Sequence, residues 1–154
     1  ATFMVTKYCL KYLKKSTNAH ILNISPPISL KIKWFQDNIP FTLSKYGMSM
    51  CVLGWSKEFK KYNIAVNSLW PKYSIATTAI KNILGSNYAI KRSLLPNIMS
   101  DAAYLILIKS SKQINGNFFI DKDILLQNGI SNFDIYKVDP NIKDNELLPD
   151  FFLD

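Results

Sequence analysis

Phe41 and Lys45 lie four residues apart in the stretch Phe41-Thr42-Leu43-Ser44-Lys45-Tyr46-Gly47-Met48-Ser49-Met50. On a helix that spacing sets both side chains on one face, one turn apart. A tyrosine at the first position would place a phenol beside an ammonium, which makes a proton donor with a lowered pKa. Phenylalanine stands there and has no proton to give. The pair keeps the cation and lacks the acid.

Other elements must position this pair. Residues 2–15 carry Phe3, Met4, Tyr8, Leu10, Tyr12 and Leu13, with lysines between them and in the last turn, which predicts an amphipathic helix. The run from His20 to Ile24 predicts a short buried strand, and Ser25-Pro26-Pro27 ends it, because consecutive prolines cannot donate to a sheet. His20 reads as a solvated or capping side chain at the strand edge. Residues 28–40 read as a loop with exposed Trp34 and Phe35, and Pro40 signals the start of a helix that runs to about Tyr62. The stripe Phe41, Met48, Val52, Trp55, Phe59 and Tyr62 along that helix predicts a core face or a subunit contact.

Ile64 to Leu69 predicts a second buried strand, stopped by Trp70-Pro71. A short helix follows over residues 77–84, ending at Gly85, and Ser100-Asp101 is expected to cap an apolar helix from Ala102 to Ile108. Asn117 to Asp121 predicts a third strand after a turn at Gly116, and Asp123 to Gln127 a short helix stopped by Asn128-Gly129. Residues 131–154 read as an extended tail that packs back on the domain or links onward. Helices alternating with strands imply an α/β fold with parallel pairing through right-handed crossovers. Chemistry in such sheets sits at the carboxyl ends of the strands. Ser25-Pro26-Pro27, the start of the 41–62 helix and the segment from Pro71 to Thr77 are therefore expected on one rim.

The totals narrow the function classes. A chain of 154 residues with 48% hydrophobic and 13% aromatic content fits one folded domain with a real core. The net charge of +8 is spread over Lys14-Lys15, Lys31, Lys33, Lys57, Lys60-Lys61 and Lys91-Arg92, with no nucleic-acid motif, so no nucleic-acid partner is expected. One histidine and two cysteines without ligand spacing imply no metal site. Cys9 and Cys51 sit in apolar helical patterns and are expected as buried thiols of a reducing compartment. No apolar run reaches membrane-spanning length. The chain opens at Ala1, inside a predicted helix, which suggests a fragment, a processed product or a truncated gene model.

Several blocks together resemble the short-chain dehydrogenase/reductase family: Ala19 to Pro27, Lys45 to Met50, Ile64 to Lys72, Gly116-Asn117-Phe118 and Pro149 to Asp154. The order of an Asn-Ile-Ser strand end, a loop, a helix carrying the Tyr-x-x-x-Lys position, and a strand ending in Pro matches the C-terminal half of that fold. The resemblance implies half of a Rossmann-like doubly wound parallel sheet flanked by helices, with residues 1–130 as the partial domain and 131–154 as a C-terminal tail. It implies an NADP or NAD cofactor and hydride transfer to or from a carbonyl carbon. By the same resemblance Lys45 holds the nicotinamide ribose and lowers the pKa of the family tyrosine, whose position is Phe41. Pro71, Ile75 and Thr77 match the segment lining nicotinamide and pyrophosphate. Ser25 is the nearest candidate for the hydroxyl that orients substrate, although the usual serine position is Pro26. The glycine loop for the phosphates and the active-site asparagine of the family are expected before Ala1. The family also implies a peroxisomal or mitochondrial location and a homo-oligomer through the 41–62 helix. Trp34, Phe35 and Tyr88 in the variable loops 28–40 and 86–99 suggest an apolar substrate. The expectation is an oxidoreductase relative with impaired catalysis, or an interaction protein derived from that fold.

Overall fold

The computed structural model describes residues 1–83 and 87–153. Nine elements follow in order: α1 (Thr2–Leu13), β1 (Ala19–Ile24), α2 (Ile39–Glu58), β2 (Ile64–Trp70), α3 (Thr78–Ile83), α4 (Asn87–Lys91), α5 (Asn97–Leu107), β3 (Phe118–Ile120) and α6 (Asp121–Gln127). The sheet is parallel, in the order β1-β2-β3, so the expected α/β architecture is present. β1 and β2 run in register from Ala19 opposite Ile64 to Ile24 opposite Leu69. The connection through α2 is the crossover that parallel neighbours require.

The chain divides into two compact units, Ala1–Trp70 with Ile106–Phe119, and Pro71–Leu105 with Ile120–Asp154. In the first unit every residue of β2 is buried, as expected of a central strand. Ala19, Val52, Trp55, Phe59, Ile64 and Val66 form its core, with Leu10, Leu13, Ile21 and Phe118 packed against it. Of the two polar residues inside this strand, Asn67 is paired through its side chain, while Ser68 Oγ is buried without a hydrogen-bond partner. Asn67 accepts at its side-chain oxygen from the Asn117 backbone at 3.0 Å and donates from Nδ2 to the Ile114 carbonyl at 3.3 Å. The loop before β3 thus binds β2 through side chains as well as through backbone bonds such as Gly116 N–H to the Val66 carbonyl at 2.9 Å.

In the second unit, Ser74 donates its N–H to the Leu148 carbonyl and Leu94 donates to Ser74, at 2.9 Å each. The C-terminal segment is tied in further by Leu147 and Phe152, which are buried, and by Lys137, whose ammonium lies 2.7 Å from both Asp134 and Asp144.

Several local expectations are corrected. The 41–62 helix runs instead from Ile39 to Glu58, with a separate 3₁₀ turn from Lys60 to Tyr62. Its stripe is only partly core: Val52, Trp55 and Phe59 are buried inside their own unit, but Phe41 is exposed. The face that α2 buries also includes Thr42, Tyr46, Ser49 and Ser56, polar positions at helical spacing. α5 begins five residues before the expected Ala102, because the Pro96 carbonyl accepts from Met99 N–H at 3.0 Å and starts the first turn. Trp34 is buried, in a 3₁₀ turn, not exposed in a loop. Cys9 is exposed and Cys51 half-buried, and both are free thiols. His20 is half-buried, and its Nε2 lies 3.0 Å from the Lys109 carbonyl. The helix expected over 77–84 spans Thr78–Ile83, and its expected end at Gly85 lies outside the described residues. No helix among the described residues is long and apolar enough to cross a membrane.

Candidate active site

Pro26 and Pro27 end β1 because neither has an N–H to offer the next strand. The chain then leaves the sheet with carbonyls that need partners. Helix α2 supplies them. Ser49 donates from Oγ to the Pro26 carbonyl at 2.7 Å. Tyr46 donates its phenol to the Ser29 carbonyl at 2.7 Å and accepts the Ser29 N–H at 3.2 Å. Thr42 donates from Oγ1 to the Trp34 carbonyl. Within β1 itself, Asn23 donates from Nδ2 to the Met48 carbonyl of α2 at 3.3 Å.

With α2 held in this way, Lys45 meets the carboxyl end of β1. Its Nζ donates to the Ile24 carbonyl at 3.2 Å and lies 5.0 Å from the centre of the Trp70 ring, the last residue of β2. One ammonium thus marks the ends of two adjacent strands, on the rim where the sequence expects a site. The Trp70 face contributes an attraction of roughly 0.5–2 kcal/mol at such a distance. Phe41, one turn before Lys45, is 43% exposed and presents a ring where an acid would stand. Ser25 is fully buried, and its Oγ has no hydrogen-bond partner.

The segment matched to the nicotinamide lining lies in the second unit. Pro71 is buried. Ile75 forms a parallel bridge with Leu94. Thr77 accepts the Ile80 N–H at its Oγ1, 3.4 Å away, and so caps the start of α3. Asp121 fixes the beginning of this segment. Its Oδ1 accepts the Lys72 N–H at 2.8 Å and the Lys122 N–H at 2.6 Å, while Oδ2 is buried without a partner. Burial pushes the carboxyl up to about 6, against the pull of those two N–H groups. Among the described residues no group of three His, Cys, Asp or Glu is placed to hold a metal ion.

Sequence reasoning missed Thr42, Tyr46, Ser49 and Asp121. The first three recur at the four- and three-residue steps of one helix face, a signal hidden by the search for apolar residues. Asp121 was placed only as the end of a strand.

No family model matches the chain. It is 50% identical over 153 residues, 99% of its length, to hydroxysteroid dehydrogenase-like protein 2 of Xenopus laevis, of which it spans 35%. The chain therefore covers about a third of the curated relatives it matches. A short chain dehydrogenase from Mycobacterium thermoresistibile superposes with a TM-score of 0.87 at 38% identity, over 99% of this chain and 53% of that one. A more distant neighbour, 17% identical with a TM-score of 0.61, shares the fold over 79% of this chain and 48% of its own; it is an angucycline C-6 ketoreductase with bound NADP.

The two titrating states of Asp121 give a stability test. Its carboxyl titrates near 6 when folded, against an ordinary 3.8. The folded state holds the proton more tightly, so the associated stability is complete below about pH 3.8 and is lost as pH rises through about 6. The expected loss between pH 4 and 7 is about 1–3 kcal/mol. Urea denaturation at a series of pH values should show that Asp121→Asn flattens this slope. A slope equal to that of the unsubstituted chain would refute the assignment.

Proposed function

The chain belongs to the short-chain dehydrogenase/reductase family, and on that premise we propose that it derives from an NAD(P)-dependent oxidoreductase of carbonyl or hydroxyl groups whose proton-transfer step is disabled. One observation carries the reading: Lys45 stands at the carboxyl ends of β1 and β2, and Phe41 occupies the acid's place one turn earlier.

The residues present suit a nicotinamide dinucleotide. The Lys45 ammonium is a point-charge donor held at the Ile24 carbonyl and the Trp70 ring, at the strand ends where the family resemblance puts the ribose hydroxyls. When bound, the cofactor supplies or accepts hydride. Pro71, Ile75 and Thr77 are the residues that would line nicotinamide and pyrophosphate, and the Asp121 carboxylate holds the backbone of Lys72 at the start of that segment. Ser25, the nearest candidate for the substrate-orienting hydroxyl, is buried with its Oγ unpartnered. The phenyl ring of Phe41 can pack against a ligand but can neither deliver a proton to a carbonyl oxygen nor take one from an alcohol. Lys45 has no phenol at position 41 whose pKa it could lower. Loss of a positioned acid reduces rate by roughly 10²–10⁴. An apolar substrate rests on the family resemblance alone, since Trp34 is buried and Tyr88 lies on α4 beneath the Arg92 guanidinium, 3.8 Å from its ring centre.

A second reading is supported by the outer faces of the helices. Phe3, Met4, Tyr8 and Tyr12 on α1, and Leu43, Met50 and Leu53 on α2, are exposed apolar side chains. A protein of this fold that has lost turnover could act by association through those residues. Val52, Trp55 and Phe59 take no part, since they fill the core beneath.

In the native polypeptide, Phe41→Tyr should raise carbonyl-dependent oxidation of NADPH by about 10²–10⁴, followed by loss of the reduced nicotinamide absorbance. An unchanged rate in a variant that still binds cofactor would defeat the primary reading. The second reading expects a dimer or higher species in sedimentation that Met50→Lys with Leu53→Lys converts to monomer. A wild-type polypeptide that sediments as a monomer at all concentrations would exclude it.

A further inference from the structure

We propose that the first unit carries a separate anion site at the amino end of β2: a cavity of about 510 Å³ ringed by Lys57, Lys60 and Lys112 that takes a small anion bearing a phosphoryl group. It lies at the other end of β2 from Trp70 and Lys45, because Asn63 and Ile64 line it, and Ile64 is the first residue of the strand. It is independent of the reductase reading.

The three cations come from distant parts of the chain. Lys57 belongs to the last turn of α2, Lys60 to the 3₁₀ turn that follows, and Lys112 to the loop that leads to β3. The carboxyl end of a helix attracts a cation, which accounts for Lys57. It does not account for Lys112, some fifty positions on. Among the described lining residues there is no carboxylate, and the charged ones are all lysines. Ammoniums gathered around one cavity repel each other, and an anion seated among them reverses the sign of that energy.

The walls between the lysines are polar and already fixed. Ser111 donates from Oγ to the Asn63 carbonyl at 2.8 Å. Asn115 donates from Nδ2 to the Ser56 carbonyl at 2.7 Å, and its Oδ1 accepts the Val66 N–H at 2.9 Å. At Gly116 the backbone has a φ of +77°, and a Cβ there would stand 3.2 Å from Ser56 Oγ, so the loop approaches α2 as closely as a glycine allows. A hydrogen-bonded polar wall beside three lysines suits a compact, highly charged ligand. Phosphoryl oxygens offer several acceptors to point-charge donors arriving from different directions, and a carboxylate offers fewer. The volume is in the range of small-molecule sites, roughly 300–1,000 Å³.

The test is an NMR titration of the chain with inorganic phosphate, and in parallel with acetate at matched ionic strength, following backbone amide shifts. Phosphate should give saturable shifts at Lys57, Lys60 and Ser111 to Gly116, and acetate should give none there. Lys60→Gln combined with Lys112→Gln should weaken phosphate binding at least roughly tenfold, and Lys112→Gln alone should weaken it in the same direction. Added sodium chloride should weaken it as well. Lys45→Gln, at the far end of the strand, should leave the titration unchanged. Shifts that do not saturate, an equal response to acetate, or unchanged affinity in the double variant would overturn the proposal.

Discussion

Three side-chain donors on one face of α2 meet three carbonyls of the chain that leaves β1, and the rim of the sheet takes its form from those bonds. Pro26-Pro27 force the exit from the sheet, which strands the Pro26, Ser29 and Trp34 carbonyls away from any strand partner. Ser49, Tyr46 and Thr42 satisfy them. A buried carbonyl left without a donor costs about 1–3 kcal/mol, so the pairing constrains both the loop and the helix that covers it. With α2 fixed in register, Lys45 reaches the Ile24 carbonyl and the Trp70 ring.

This scaffold fits the proposal that the chain keeps the architecture of a dehydrogenase while Phe41 stands at the acid's position. The bonds that position α2 are made by Thr42, Tyr46 and Ser49. None of them requires a hydroxyl at position 41, where the side chain faces outward and makes no part of the core. Function and stability are separable at that position, unlike at Asp121, where one buried carboxylate holds two backbone N–H groups and its charge weighs on the stability of its unit.

Much of the frame was legible in the residues. Short apolar runs bounded by Pro and Asn-Gly gave β1, β2 and β3 nearly to the residue, and alternation with helices gave the parallel sheet. The errors share a cause. Apolar periodicity implies burial, but the buried face of α2 is half polar, because it must answer stranded carbonyls. Cys9 and Phe41 looked interior by type and are exposed, while Trp34 looked like a loop aromatic and is buried. Ser100-Asp101 resembled a cap, yet Pro96 sets the start of α5. The cavity between α2 and the 111–116 loop had no linear signal at all, since its lysines come together only when the loop folds against β2.

The most direct test is to measure binding and turnover of reduced nicotinamide dinucleotide by the native polypeptide side by side, with Phe41 in place. Binding is read by energy transfer from tryptophan, and turnover by loss of nicotinamide absorbance with a panel of apolar carbonyl compounds. The account predicts saturable binding that Lys45→Met weakens, together with carbonyl-dependent oxidation roughly 10²–10⁴ below the ordinary enzymatic range. Turnover within the ordinary enzymatic range, roughly 1–10³ s⁻¹, would contradict it.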